Sequence, residues 1–262
     1  MGFDFSGKTV LVTGSTQGIG EATALAFAQA GAKVMLTGRN AEKGAAVQTA
    51  IAAAGGEAGY VQADLRDGGV CERLVEQTVA RFGSLDVLVN NAGVYEAGSA
   101  VETTDESWRL IMEVNVDAVF YMSRAGVRQM LKQGGGAIVN NASEWGLKGE
   151  PGHVAYTTSK GAVVQLTRSM ALDHATDNIR VNSVCPGEIL TEILEDLIRE
   201  GPGEIEENTA ALANGVPMKR LGATDEVAQC ILFLASDAAS YVTGTNFSVD
   251  GGENATGGPY PV

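Results

Sequence analysis

Short apolar runs alternate with longer segments of helical periodicity at the start of the chain. A run from Lys8 to Thr13 is followed by a helical segment from Gly18 to Ala30 and by a second run from Lys33 to Thr37. The apolar positions of the helical segment include Ile19, Ala22, Ala26 and Phe27. Because these positions share one helical face, they form a stripe that can pack on a sheet. The pattern predicts a strand, a helix and a second, parallel strand.

The same alternation continues along the rest of the chain. Further strands are predicted at Ala58 to Ala63, Asp86 to Asn90, Ala137 to Asn141, Ile179 to Val184 and Asn246 to Val249. Further helices are predicted near residues 41–54, 68–82, 106–132, 154–175 and 224–235. Continuously apolar strands separated by helices favour a parallel sheet that is covered on both faces. We therefore expect an α/β fold, a Rossmann-like doubly wound sheet of seven strands that binds its ligands where the strands end.

Length and composition predict one domain covering residues 1–262. The 34 glycines fall between apolar runs and do not form a low-complexity tract. A net charge of −14 argues against nucleic acid or an anionic membrane surface as partners. No segment reaches the roughly 20 apolar residues of a membrane helix, and the first residues lack a basic leader. We expect a cytoplasmic protein.

Cysteine and histidine usage favours neither a disulfide framework nor a metal centre. The three cysteines, Cys71, Cys185 and Cys230, show no C-x-x-C spacing, and His153 and His174 are the two histidines. An odd number of widely spaced cysteines is typical of reduced, buried thiols. We expect no metal site.

A glycine-rich turn follows the first predicted strand and opens the first predicted helix. It reads Thr13-Gly14-Ser15-Thr16-Gln17-Gly18-Ile19-Gly20. Glycines allow close backbone approach to a phosphate, and the amides at the helix start can face a pyrophosphate. An ordinary glycine-rich turn is the alternative, but the order of strand, turn and helix favours a dinucleotide. The expected contacts are Gly14, Ser15, Gln17, Gly18, Ile19 and Gly20.

Tyr156 and Lys160 lie four residues apart in the predicted helix 154–175. That spacing places the phenol and the ammonium on one helical face. A nearby cation stabilises a phenolate, whose ordinary pKa is about 10, and so suits it to exchange a proton with an alcohol or carbonyl. Alone, this spacing also occurs by chance on solvated helices.

Further motifs follow in a fixed order along the chain. They are Asp64-Leu65, Asn90-Asn91-Ala92-Gly93, Asn115, Ser143, Tyr156 with Lys160, and Pro186-Gly187. Together with the glycine turn, they make the chain resemble a single-domain short-chain dehydrogenase/reductase over nearly its whole length. The resemblance implies an NAD(P)-dependent alcohol dehydrogenase or ketoreductase. The alternatives are a nicotinamide-nucleotide-binding regulator and a non-redox enzyme of this family type, and the intact catalytic set speaks against the regulator.

The resemblance also implies a role for each catalytic residue. Tyr156 would exchange the proton with the substrate oxygen, and Lys160 would lower the pKa of Tyr156 and bind the nicotinamide ribose. Ser143 would hydrogen-bond the substrate oxygen, with a turn cap as the alternative. Asn115 would hold the water that links Lys160 to solvent, with helix packing as the alternative; a buried amide needs partners in either case.

Cofactor contacts outside the glycine turn follow from the same resemblance. Asp64 would bind the adenine amino group, and Leu65 would offer its backbone N–H. The adenosine ribose would lie along Asn91, Ala92 and Gly93. In the segment that begins with Pro186 and Gly187, Ile189 and Thr191 would contact the carboxamide.

The segment after the second strand bears on the choice between NADP and NAD. Gly38 stands where an NAD-preferring site usually carries a carboxylate, and Arg39 follows it. A guanidinium accommodates a 2′-phosphate, so NADP is favoured over NAD. Against this, Gln17 occupies a position where NADP-preferring relatives often carry a cation, so a second basic contact is missing there. Arg39 could also stack on adenine or lie in solvent.

A substrate-binding segment is expected at about residues 188–216. It is rich in Glu and Asp, which usually marks a solvated helical face and could also repel anionic substrates. Carrier-bound substrates look disfavoured, because related ketoacyl reductases present basic residues where this chain has Gly134–Gly136 and Asp177. The substrate contacts expected around the pocket are Glu96, Glu144, Trp145, His153 and Glu188. Glu144 with Trp145 could receive a hydroxylated or cationic small molecule, whereas His153 is expected to line the helix start.

The final predicted strand resembles the strand through which relatives pair their subunits. It lies in Asn246–Gly252. The resemblance implies a homotetramer, with a dimer as the alternative. The tail from Glu253 to Val262 is expected to pack on a neighbouring subunit or to stay loose.

Overall fold

The computed structural model describes residues 2–255 of the chain, so most of the tail lies outside the described residues. Its strands are β1 (Thr9–Thr13), β2 (Lys33–Gly38), β3 (Glu57–Gln62), β4 (Val87–Asn90), β5 (Gly136–Asn141), β6 (Ile179–Pro186) and β7 (Asn246–Val249). They form one parallel sheet in the order β3-β2-β1-β4-β5-β6-β7. This confirms the predicted doubly wound, seven-stranded parallel sheet.

Helices cover both faces of the sheet. They are α1 (Gly18–Gln29), α2 (Ala41–Ala53), α3 (Gly68–Phe82), α4 (Asp105–Met112), α5 (Ala118–Gln133), α6 (Val154–His174), α7 (Glu192–Glu200), α8 (Ile205–Gly215) and α9 (Thr224–Ala235). The helix predicted at 106–132 is instead divided, because a π-helical turn at Glu113–Asp117 separates α4 from α5. The sequence periodicity does not show this turn, since it inserts no proline or glycine.

Residues of β1 point alternately into two hydrophobic layers. Val10 and Val12 pack with Phe27 of α1 and Ile231 of α9 on one face. Leu11 packs on the other face with side chains of α3 and α5, including Leu74 and Met122. Both layers are fully buried, so the near-continuous apolar character of β1 follows from burial on both sides.

The strand order reverses between β1 and β4. Such a switch point leaves a crevice outside the carboxyl ends of the strands, because the connections on its two sides cross opposite faces of the sheet. The glycine turn follows β1, and Asn91 follows β4 directly. The fold therefore brings these two segments together at the expected site.

The acidic segment after β6 forms α7 and α8, two helices that were not among the six predicted. Leu194 and Ile198 of α7 are buried, whereas Glu195 and Asp196 lie on its solvent side. The interpretation of the acidic run as a solvated helical face is thus confirmed for α7. A dense run of carboxylates conceals the few apolar positions that anchor this helix.

The thiols of the described chain are all unpaired: Cys71 and Cys185 are buried and Cys230 is half-buried. Between residues 2 and 255, no helix combines the length and apolar character that crossing a membrane requires. The same residues contain no cluster of His, Cys, Asp and Glu side chains arranged to hold a metal ion.

Candidate active site

One cleft of about 430 Å³ runs along the carboxyl ends of the strands. The glycine turn and Arg39 line one end of it. Ser143, Tyr156 and Lys160 line the other end. The volume lies within the range of about 300–1,000 Å³ that is usual for ligand sites. The fold therefore joins the predicted phosphate-binding turn and the predicted proton-exchanging groups in a single cavity.

The glycine turn is shaped so that side chains are excluded from it. Gly14 and Gly18 have φ angles of +61° and +56°, in the left-handed region that favours glycine. A Cβ on Gly14 would lie 2.8 Å from the Cα of Ala92. A Cβ on Gly20 would collide with the Gly14 carbonyl oxygen and the Asn91 side-chain amide. The backbone of the turn is thus left bare where α1 begins, as a pyrophosphate requires.

Asn91 ties together the ends of three strands beneath this turn. Its side-chain nitrogen donates to the carbonyl oxygens of Thr13 at 3.1 Å and Gly14 at 3.0 Å. Its side-chain oxygen accepts from Asn141 at 2.9 Å. Asn91 lines the cleft with Ala92 and Gly93, as expected. Its side chain acts mainly as a brace that fixes the turn against β4 and β5.

Ser143, Tyr156 and Lys160 lie together at the other end of the cleft. The Ser143 hydroxyl hydrogen-bonds the Tyr156 phenol and also accepts from the backbone N–H of Trp145 at 3.2 Å. Ser143 therefore takes both of the roles considered for it, because it caps a short turn and faces the phenol. The Lys160 Nζ lies 5.6 Å from the Tyr156 ring centroid and donates to the Asn141 carbonyl at 2.9 Å.

Burial dominates the pKa values of this pair. It raises the pKa of Tyr156 to about 12, which the Ser143 hydrogen bond opposes. It lowers the pKa of Lys160 to about 8. The expectation that Lys160 lowers the pKa of Tyr156 is not met here, because the ammonium lies against the ring and donates to a carbonyl. A phenol with so high a pKa holds its proton at neutral pH and can donate it.

Asn115 lies in the π-helical turn and is almost fully buried. Its amide accepts from the Val94 N–H at 2.8 Å and donates to the Val94 carbonyl at 2.9 Å. It also donates to the Ser159 hydroxyl at 3.1 Å. The predicted need for buried partners is thus met by protein groups on both sides. Asn115 clamps the segment after β4 to α6, and π-turns of this kind often occur at functional sites.

The adenine end contains the expected Asp64 and Leu65, together with Arg66. The guanidinium of Arg66 hydrogen-bonds the Asp64 carboxylate at 2.6 Å and lowers the pKa of Asp64. Arg39 also lines the cleft there. The carboxylate is therefore ionised and held by a neighbour two residues away.

A second cation stands beside the glycine turn, although the sequence reasoning found none. The Lys43 Nζ donates to the Gln17 side-chain oxygen at 2.9 Å and pairs with Glu192 of α7 at 2.7 Å. Lys43 lies in the first turn of α2, whose N-cap Asn40 accepts from the Lys43 N–H. The missing basic contact is thus supplied from another helix, which position 17 alone could not reveal.

The substrate end of the cleft differs in part from expectation. Glu144, Trp145 and Glu188 line it, whereas Glu96 is exposed and is not among the lining residues. The expectation for Glu96 as a cleft-lining residue is therefore wrong, because the loop turns its neighbour Tyr95 inward instead. His153 lies behind Tyr95 at the N-terminus of α6, as expected of a residue at the helix start.

Glu144 is a buried carboxylate, exposed by only 2%. Its side chain pairs with Lys148 at 3.2 Å. Burial first, and the nearby Glu253 second, raise the pKa of Glu144 to about 8 despite Lys148. Burial also raises the pKa of Glu188 to about 6. The substrate end thus holds two carboxyl groups that resist ionisation.

The Glu144 carboxyl should make stability fall as pH rises from about 5 to about 8. Its ordinary pKa is 4.5 and its folded pKa is about 8, so in this window the folded chain retains a proton that the unfolded chain has lost. Glu144→Gln removes that penalty. Since one pKa unit corresponds to about 1.4 kcal/mol, the variant should gain at least about 1 kcal/mol on the wild type between these pH values.

Urea unfolding at both pH values measures this difference. Glu206→Gln, which alters an exposed carboxylate at the start of α8, is the matched control and should follow the wild type. If Glu144→Gln also follows the wild type across the window, Glu144 is not a neutral buried acid.

Comparisons with known proteins cover nearly the whole chain. A family model described as enoyl-(acyl carrier protein) reductase matches residues 14–254. An uncharacterized oxidoreductase of Thermotoga maritima is 44% identical, over 96% of this chain and 99% of the relative. The meso-2,3-butanediol dehydrogenase of Serratia marcescens is 40% identical, over 97% of each. The 3-oxoacyl-[acyl-carrier-protein] reductase FabG of Thermotoga maritima is 41% identical, over 94% of this chain and 97% of FabG.

Solved structures agree with these relatives. Levodione reductase superposes with a TM-score of 0.93 at 33% identity, covering 96% of this chain and 99% of the reductase. A candidate NAD(P)-dependent gluconate 5-dehydrogenase from Beutenbergia cavernae, with NADP bound at low occupancy, superposes with a TM-score of 0.90 at 38% identity. The match covers 98% of this chain and all of that protein.

Proposed function

Because this chain belongs to the short-chain dehydrogenase/reductase family of oxidoreductases, we propose that it transfers a hydride between a nicotinamide cofactor and a carbonyl or secondary-alcohol group. One observation carries the proposal: a single cleft joins the bare glycine turn to the hydrogen-bonded Ser143 and Tyr156. A regulator that only binds nucleotide would need the turn without this second end. The named relatives include dehydrogenases and reductases.

The chain's own residues fit a dinucleotide along the cleft. Gly14, Gly18 and Gly20 leave room for the pyrophosphate at the start of α1, and Asp64 and Leu65 face the adenine end. When bound, the nicotinamide supplies or accepts the hydride. Its contacts would be Pro186, Gly187, Ile189 and Thr191. Thr191 lies against Gly18, 3.6 Å from where a Cβ would stand, so the segment after β6 closes over the turn.

Tyr156 is the proton-exchanging group in this proposal. In the reducing direction its hydroxyl donates to the substrate carbonyl oxygen while Ser143 hydrogen-bonds the same oxygen. Lys160, a cation below its pKa of about 8, stabilises the phenolate that results and binds the nicotinamide ribose. Asn115 holds Lys160's helix in register through Ser159 and stands on the proton's route to solvent. Oxidation reverses each step.

We propose that NADP is preferred over NAD. Position 38 carries no carboxylate to bind a ribose 2′-hydroxyl, and Arg39 lines that end of the cleft. Lys43 brings a second positive charge to Gln17. Two cations and no facing carboxylate from β2 favour a 2′-phosphate.

Arg39→Ala should weaken NADPH binding about tenfold or more while changing NADH binding less than threefold. A charge-assisted contact to phosphate contributes about 1.5–3 kcal/mol, and NADH has no 2′-phosphate to lose it. Fluorescence titration with each cofactor measures both constants. Arg109→Ala, on the exposed side of α4, is the control and should alter neither. Equal losses for the two cofactors would count against the NADP preference.

We propose that the substrate is a small molecule that is not bound to a carrier protein. Ile193, Leu194 and Leu197 of α7 line the cleft beyond Tyr156, within the proposed substrate segment 188–216. The similarity to FabG offers the contrary possibility, but Gly134–Gly136 and Asp177 present no cation to an acidic carrier. Small diols and diketones suit the short distance between α7 and Tyr156 better than a long acyl arm.

We propose that one domain spans the chain and that four copies assemble. β7 is an edge strand with Phe247 exposed by 38%, and Leu172 of α6 is exposed by 82%. Exposed apolar side chains at a sheet edge and on a helix are suited to two separate interfaces. We place the assembly in the cytoplasm, with neither nucleic acid nor membrane as partner. Light scattering gives its mass.

The reaction class is tested by following nicotinamide absorbance with a panel of diols, sugars, steroids and aromatic ketones and with the oxidised and reduced forms of both cofactors. We expect turnover with at least one carbonyl or secondary alcohol, fastest with the NADP form. Binding of cofactor without turnover across the panel would favour the regulator. The panel also reports the favoured direction of the reaction.

A further inference from the structure

Tyr95 is an aromatic wall of the substrate end that the proposed reaction does not use. Its ring lies 5.3 Å from that of Tyr156, centroid to centroid, in an edge-to-face arrangement. Trp145 lies 6.0 Å from Tyr156 on the same side. Tyr95 and Trp145 both line the cleft. A substrate held against Tyr156 must therefore pass close to the Tyr95 ring.

The Tyr95 hydroxyl is fixed by His153 behind it. The His153 Nδ1 lies 2.7 Å from the Pro151 carbonyl oxygen, and its Nε2 lies 2.6 Å from the Tyr95 hydroxyl oxygen. A carbonyl oxygen only accepts, so Nδ1 must carry the proton of the neutral ring. Nε2 is then an acceptor, and the Tyr95 O–H donates to it. Tyr95 can offer the substrate only the lone pairs of its oxygen.

The charges around Tyr95 favour the same kind of substrate group. Glu188 lines this end of the cleft and faces Tyr95 electrostatically, as does Glu150. Glu144 lines it from below. Among the cleft-lining residues of the described chain, the cations are Arg39 and Arg66 at the adenine end and Lys160 below Tyr156. The substrate end therefore presents acceptors and negative charge to whatever lies against Tyr95.

We propose that Tyr95, held by His153, determines specificity by accepting a hydrogen bond from a donor group of the substrate near the reacting carbon. The substrate class is then hydroxy ketones with the corresponding vicinal diols, or their amino analogues. Plain ketones leave the acceptor unpaired, and carboxylates meet Glu188 and Glu144. This inference rests on the proposed function and narrows it. Specificity of this kind is strong because a buried acceptor left without its donor is unfavourable.

The test compares 3-hydroxy-2-butanone with 2-butanone, which lacks only the hydroxyl group. Wild type should prefer the hydroxy ketone in kcat/KM by about tenfold or more. Tyr95→Phe keeps the ring and removes the acceptor, so the hydroxy ketone should lose at least tenfold while 2-butanone changes less than threefold. Tyr241→Phe alters a fully exposed tyrosine and should leave both rates unchanged. An unchanged preference in Tyr95→Phe would overturn the proposal.

Variants of His153 test the direction of the hydrogen bond. His153→Leu frees the Tyr95 O–H to donate, so 2,3-butanedione, which carries an acceptor in place of the donor, should gain on the hydroxy ketone. His153→Gln can still accept from Tyr95 and should keep the wild-type preference. A purely structural role of His153 would lower all rates together and would contradict the proposal, even if Tyr95→Phe failed to fold.

Failure of this inference is separate from failure of the proposed function. Wild-type turnover of both ketones at equal kcat/KM, with the ratio unmoved by Tyr95→Phe, would refute the role of Tyr95 alone. Cofactor binding without turnover of any carbonyl compound would refute the reaction class and the inference with it.

Discussion

Tyr156→Phe should lower kcat by at least about 100-fold while cofactor affinity stays within about threefold of wild type. The phenol oxygen is the group that hydrogen-bonds Ser143 at the end of the cleft. Its removal leaves the ring, the Lys160 contact to Asn141 and the glycine turn in place. General acid–base catalysis contributes about 10²–10⁴-fold, so the loss should fall in that range. Binding should persist because the adenine and pyrophosphate contacts lie at the opposite end.

Steady-state turnover and fluorescence titration of the cofactor measure the two quantities separately. Tyr121→Phe on α5 is the matched control, since Tyr121 packs beside Arg124 and does not line the cleft. It should alter neither turnover nor affinity. Activity within threefold of wild type in Tyr156→Phe would show that another group moves the proton.

Gly20→Ala should weaken cofactor binding at least tenfold and lower the free energy of unfolding by about 1–3 kcal/mol. In an ordinary helix this change would stabilise by about 1 kcal/mol. Here the added methyl group meets the Gly14 carbonyl and the Asn91 amide that together form the turn. Either the turn or the brace from Asn91 must shift, and both shape the bed of the pyrophosphate.

Gly215→Ala is the matched control for this change. Gly215 also lies in a helix, α8, but no heavy atom lies within 4 Å of where its Cβ would stand. It should leave cofactor binding unchanged and stability unchanged or slightly higher. If Gly20→Ala behaves like Gly215→Ala, the turn tolerates side chains and the phosphate-binding account of it is wrong.

The sheet could be predicted from the sequence because its strands are buried on both faces. Residues such as Val10, Leu11 and Val12 are apolar without interruption, and this pattern marks a parallel strand. The helices α7 and α8 were missed because their acidic solvent faces outnumber anchors such as Leu194. The break between α4 and α5 was missed because a π-turn changes the hydrogen bonding without changing the residue types.

The candidate site was predictable where its residues lie on one local segment. The glycine turn and the Tyr156–Lys160 pair have a spacing that itself fixes their geometry. Tyr95 and Lys43 depend on contacts between segments distant in sequence, with His153 and Gln17 respectively, and no local spacing announces them. The raised pKa of Tyr156 likewise follows from burial in the folded chain, which a helical spacing cannot express.

Transfer of deuterium is the most direct test of the proposed reaction. NADPH carrying deuterium at its transferable position is incubated with the protein and 3-hydroxy-2-butanone, and the diol product is analysed by mass spectrometry and NMR. We predict one deuterium on the newly formed carbinol carbon with wild type, and loss of product formation with Tyr156→Phe. Product without deuterium, or no product from any ketone of the panel while NADPH binds, would contradict hydride transfer by this protein.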